Sequence, residues 1–101
     1  MRYLGGLRGA GTLTCGEQTI ARADYDFDGY LVKPGEVSCC GEIRTSSRAL
    51  REVFGRKDLH LVTDDGRRLS LQFSDRRLAS ESDAAHVNVA GDLPPVSEWR
   101  H

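Results

Sequence analysis

The clearest alternation of apolar and polar positions runs from Leu59 to Phe73. Leu59 and Leu61 lie two apart on one side of Asp64-Asp65-Gly66, and Leu69, Leu71 and Phe73 do the same on the other. Period two describes strands with one buried face, so this stretch predicts a hairpin. A two-residue Asp65-Gly66 turn would set Leu61 against Ser70 and Leu59 against Gln72. A three-residue loop, 64–66, sets Leu61 against Leu69 and Leu59 against Leu71. Register follows the buried face, and such a loop ends on a left-handed residue, a place Gly66 suits. The expectation is therefore a three-residue loop with a bulge at Gly66, with His60, Val62, Ser70 and Gln72 on the wetter face.

The rest of the chain extends this pattern. Residues 1–16 hold five glycines among scattered leucines, predicting a loose first strand around Leu13 with a flexible or bulged lead-in. Ile20, Ala23, Tyr25 and Phe27 mark a second strand, in which the aromatics alternate with Asp24, Asp26 and Asp28. Gly29 is expected to bend it before Tyr30-Leu31-Val32 continue. Pro34-Gly35 fits a type II turn, and a third strand should follow from Val37 to Ile43. Thr45, Ser46 and Ser47 offer N-cap hydroxyls for a helix over about 47–54. Its Leu50, Val53 and Phe54 form one apolar stripe, and Gly55 stands where a left-handed C-terminal residue is expected. Residues 74–85 read as a polar connection, and His86–Ala90 as a last short strand.

The fold class is therefore mostly β: a small β-barrel or strongly curved antiparallel sheet, in the order β-β-β-α-β-β-β. A helix between the third and fourth strands resembles the element order of an OB-fold, a five-stranded Greek-key barrel. The resemblance is one of order alone and carries no diagnostic residues. One β-rich domain is expected over residues 1–93, with 94–101 as a flexible tail whose Trp99 either anchors a partner or docks on its own domain. An edge such as Val87–Val89 would allow a monomer or a weak homodimer.

With 101 residues and 39% hydrophobic content, the chain has room for one core. No apolar run approaches the ~20 residues of a membrane span, and Met1–Arg8 is not followed by the apolar stretch of a secretory signal. The expected setting is soluble and cytoplasmic. Three cysteines (Cys15, Cys39, Cys40), an odd number, argue against a disulfide framework. Neighbours on a strand face opposite ways, so Cys39 and Cys40 make poor joint metal ligands.

Charge is uneven. Residues 42–79 carry nine basic and six acidic side chains, and residues 80–101 carry one and four. The middle is thus mildly basic and the end acidic, far from the profile of a dedicated nucleic-acid binder. The basic set still supplies the candidate ligand-binding residues: Arg44, Arg48 and Arg51 around the helix, and Arg67 and Arg68 at the hairpin tip. Arg56, Lys57, Arg76 and Arg77 extend the set. Joined to exposed aromatics at Tyr25, Phe27 or Tyr30, these would make a single-stranded nucleic-acid surface.

Asp24-x-Asp26-x-Asp28-Gly29 matches the opening of a calcium loop, but the twelfth position is Gly35 where a bidentate Glu is needed. The alternating strand accounts for the same residues, so no metal and no cofactor are expected. His60, His86 and His101 are not at metal spacing, and no nucleophile elbow or phosphate loop is present. The function classes that remain are a non-enzymatic binding module for a protein partner or polar ligand, a nucleic-acid-binding domain using the basic 44–77 region, and a Cys/His enzyme or metal protein. The reading leans away from an enzyme.

Overall fold

A computed structural model describes residues 1–79 and 81–99. What was expected of His101, and of the tail after Trp99, lies outside these residues. Strands β1 (Arg2–Cys15), β2 (Gln18–Lys33) and β3 (Glu36–Arg44) form one antiparallel meander. Helix α1 (Ser47–Val53) leads to a second meander of β4 (Leu59–Thr63), β5 (Arg68–Phe73) and β6 (Ala84–Gly91). The two close on each other through antiparallel β1–β4 and β3–β6 pairs, so the six strands make a ring in the order β1-β2-β3-β6-β5-β4. The chain order is the one the hydrophobic pattern predicts. No helix of the described residues is long and apolar enough to cross a membrane.

Alternation drives each strand. Along β2, Ala23, Tyr25 and Phe27 turn inward while Arg22, Asp24 and Asp26 stay exposed. The interior is filled by Phe27, Leu13, Ile43, Leu61, Leu69 and Val87, all fully buried. Helix α1 starts at Ser46, whose Oγ accepts from the Ala49 amide at 3.1 Å, and it buries Leu50 and Val53 at the end where β3 finishes and β4 begins. Seven residues cannot hold a helix alone, so this apolar face supplies its stability.

The β4–β5 hairpin has the three-residue loop. Leu61 pairs with Leu69 and His60 with Ser70, the Thr63 amide donates to the Arg67 carbonyl at 2.8 Å, and Gly66 sits at φ +96°. Thr63 Oγ1 accepts the Arg67 amide at 2.9 Å and donates to the Asp65 carboxylate, tying the loop across its base.

Two expectations change. The first strand is longer than expected: β1 runs from Arg2 because β2 gives it a partner along its length, and its glycine-rich lead-in is bulged near Leu4, one of the two forms expected for it, with a second bulge near Leu13. The last strand is not an edge, since β6 is paired on one side by β3 and on the other by β5. Among the described residues, unpaired edges lie instead on β1 before Ala10, on Glu36–Ser38 of β3 and on β5 after Ser70; Gly11–Cys15 of β1 pair with β4, and the Asp64 amide to Ala10 carbonyl bond, 3.0 Å, extends that contact. Residues 94–99 lie against the ring, with Trp99 on its own domain, one of the two places expected for it. A 3₁₀ turn, Val96–Glu98, brings Trp99 over Gly29, where its ring is 8% exposed and its Nε1 donates to the Pro94 carbonyl at 3.0 Å. Arg67 holds the same segment, reaching the Asp92 carbonyl and Glu98, each at 3.3 Å.

Candidate functional site

Between α1 and β4 the chain reverses in a few residues. Phe54 caps the helix, its amide donating to the Leu50 carbonyl at 2.9 Å. Gly55, at φ +84°, then turns the backbone. Arg56 grips Asp58 through Nε and Nη2 at 3.2 and 3.1 Å, and this guanidinium holds the Asp58 carboxyl below its ordinary range. Lys57 follows, exposed.

On the facing side, β4–β5 pairing ends at His60–Ser70. Strand β5 runs on to Phe73 with β6 alone as its partner. The gap between this part of β5 and the α1–β4 loop is a groove of about 560 Å³. Half-buried Phe54 and Phe73 line it, their ring centroids 4.9 Å apart and tilted by 58°. Exposed Arg56, Lys57 and Arg76 also line it, together with Gln72 and one acid, Asp75. Among the described residues Lys57 and Arg76 form no ion pair. The volume lies in the range of small-ligand sites.

The residues singled out from the sequence are dispersed. Arg44 pairs with Glu42 at 2.7 Å, opposite Ala84 at the start of β6. Arg68 adjoins Leu69, which lies opposite Gly91 at the other end of β6. Seven strand steps separate those ends, on the order of 23 Å. Arg48 and Arg51 are exposed on α1. Arg67 is engaged with the tail.

Tyr25 and Phe27 are buried, stacked with centroids 5.1 Å apart, and Tyr25 lies across Gly9. Tyr30 is half-buried, edge-on to Tyr3 at 5.5 Å, and Tyr3 Oη donates to Asp28 at 3.0 Å. The ring of Phe27 is therefore not presented to a ligand, while Tyr25, though mostly buried, lines with Arg44 and Arg8 a second pocket of about 330 Å³.

Asp24, Asp26 and Asp28 form a row along β2 and not a loop. Same-face strand positions are about 7 Å apart, whereas oxygen ligands of calcium sit within about 2.6 Å of the ion. Asp26 pairs with Arg8 at 2.9 Å. Among the described residues no cluster of three metal-ligating side chains occurs.

The thiols are free. Cys39 faces the interior, where burial first, then Cys40 and Asp28, push it up to about 12. Burial also raises Cys15. Neither is the thiolate a nucleophile or metal site needs.

Ser74 Oγ lies 2.7 Å from His86 Nδ1 but also bonds the His86 carbonyl at 3.0 Å, and both residues are exposed. No acid orients this imidazole among the described side-chain bonds, so the contact reads as a strand-end tie.

Set against models of protein families, curated proteins and solved structures, the chain matches none of them. Sequence reasoning included Arg56, Lys57 and Arg76 in the basic set but assigned Phe54 and Phe73 to the core stripe alone. Their position at the last residues of two elements, where neighbours run out, was the available signal.

Proposed function

We propose that this protein is a non-catalytic binding module and that the groove between the α1–β4 loop and β5 receives an anionic ligand. The observation that carries this reading is the convergence there of two half-buried rings with three exposed cations, two of them without an ion-pair partner among the described residues. Cationic side chains attract and orient an anion, and half-buried rings offer it apolar surface. An enzyme built on Cys39 or Cys15 is disfavoured, because burial raises both thiols. Three free thiols suit a reducing compartment such as the cytoplasm.

The test is a titration of the ¹⁵N-labelled protein with tripolyphosphate at low salt. Amide shifts concentrated at Gly55, Lys57, Gln72 and Arg76 are expected. Shifts centred on Arg68 at the hairpin tip, or none, would remove the groove as the site.

A further inference from the structure

Resting on that reading of the groove, we infer that its ligand is a single-stranded nucleic acid, held by its phosphates at Arg56, Lys57 and Arg76 and by base stacking at Phe54 and Phe73. Charge is the first argument. The basic side chains do not stop at the groove: Arg51 lies one helical turn before Phe54, and Arg77 follows Arg76, both exposed. At the other end of the ring the acids are matched by cations: Asp64 pairs with Arg22, and Asp65 and Glu98 with Arg67. Among the described residues the exposed cations without an ion pair include Arg51, Lys57, Arg76 and Arg77 on the groove side, with Arg68 at the hairpin tip and Arg2 at the start of β1 standing apart from them. A ligand with several phosphates in a row fits this track better than a single anion does.

The rings are the second argument. Phe54 and Phe73 are tilted against each other and only half-buried, so part of each π-surface faces the groove. Flat nucleobases use such surface with little regard to sequence. Duplex bases are already stacked on one another, and so would leave these rings unused. An acidic peptide would satisfy the cations but has two disadvantages. It has no obligatory planar group for the rings, and the β5 segment left without a β4 partner spans only Leu71–Phe73, too short to template an added strand. Gln72 and the hydroxyl of Ser70 add polar groups beside the rings. The shared chemistry is a base joined to a phosphate chain, which DNA and RNA both supply.

Fluorescence anisotropy tests this with labelled oligothymidylate and oligouridylate of about twelve nucleotides, within the span such surfaces cover. Either strand binding better than a duplex of the same length supports the inference. Three phosphate contacts give a slope of log affinity against log salt of about −2 for a single strand. The double variant Lys57→Gln, Arg76→Gln, changed only at exposed positions, should make that slope shallower by more than 1. Phe73→Leu should weaken binding by about tenfold and leave the slope intact, as expected for lost stacking; circular dichroism checks that it folds. Tripolyphosphate or oligoglutamate competing as well as the oligonucleotide would overturn the nucleic-acid inference while leaving an anion groove. A mononucleotide binding as tightly as the oligomer, or duplex binding as tightly as single strand, would also overturn it. Oligonucleotide binding abolished by Arg68→Gln and untouched by the Lys57, Arg76 variant would place the strand elsewhere and sink it. Absence of binding to every anion at low salt would remove both the inference and the groove reading.

Discussion

Cys39 and Cys40 are adjacent in sequence and differ in chemistry because a strand sends neighbours to opposite faces. Cys39 points into the ring and is 3% exposed; Cys40 is half-buried on the outside. An unfolded thiol ionises near 9, whereas folded Cys39 keeps its proton up to about 12. Between those values the unfolded chain loses a proton that the native state retains, so this contribution to stability is whole below pH 9 and falls as pH rises towards 12. The slope reaches about 1.4 kcal/mol per pH unit. Urea midpoints from pH 8 to 11 should therefore drop more steeply for the wild type than for Cys39→Ala. Equal slopes would show that Cys39 is not protected. Gly29 is a second residue whose surroundings set its role. A Cβ there would lie 2.6 Å from the Trp99 ring, so Gly29→Ala should lift the indole and shift its emission to longer wavelength. The cost, of the kind overpacking brings, is about 1–3 kcal/mol.

At the scale of elements, the β4–β5 hairpin shows how local chemistry and burial agree. The leucines select the register, and the loop can deliver it because Gly66 accepts a positive φ. Gly66→Ala should destabilise the protein by about 1 kcal/mol in chemical denaturation, the penalty of a Cβ in left-handed backbone. Thr63→Val keeps the shape and removes the Oγ1 that accepts the Arg67 amide. It should cost about 1–2 kcal/mol for a hydrogen bond lost at a buried site. If Thr63→Val proved neutral, the loop base would be held by backbone alone. Helix α1 is a similar case: a capping hydroxyl among Thr45, Ser46 and Ser47 and the Leu50, Val53 stripe are readable from sequence, and the structure places the cap at Ser46. Strand β1 was less readable, because Gly5, Gly6, Gly9 and Gly11 contribute no apolar signal to an alternation even when they occupy strand positions.

The whole molecule is a ring with an attached tail, and Arg67 links the two. It sits on the hairpin and reaches the Asp92 carbonyl and Glu98, while Trp99 covers Gly29. Arg67→Gln should loosen the tail, seen as faster quenching of Trp99 by iodide, with a loss of about 1 kcal/mol or less because both partners are partly solvated. Trp99→Ala removes a ring that is 8% exposed and should cost about 3 kcal/mol. Unchanged iodide quenching in the Arg67 variant would mean that indole packing alone seats the tail.

Sequence by itself determined the element order, the hairpin register, the three hydroxyls from which the cap of α1 comes and the opposed faces of Cys39 and Cys40. Each of these depends on residues close along the chain, where a period of two, a turn glycine or a capping hydroxyl acts over a few bonds. Tertiary structure decided the rest. Pairing of β1 with β4 and of β3 with β6 joins residues some 45 positions apart, and no local period records which distant strands meet. Interior glycines conceal the same information: a Cβ on Gly41 would lie 2.2 Å from the Asp26 carbonyl oxygen, yet in the sequence Gly41 reads as a blank. Ring closure separates Arg44 from Arg68, takes Tyr25 and Phe27 inside, and leaves Phe54 and Phe73 beside Lys57 and Arg76. The groove exists because β4 begins pairing with β5 only after the loop has passed Phe73, a consequence of how two meanders close.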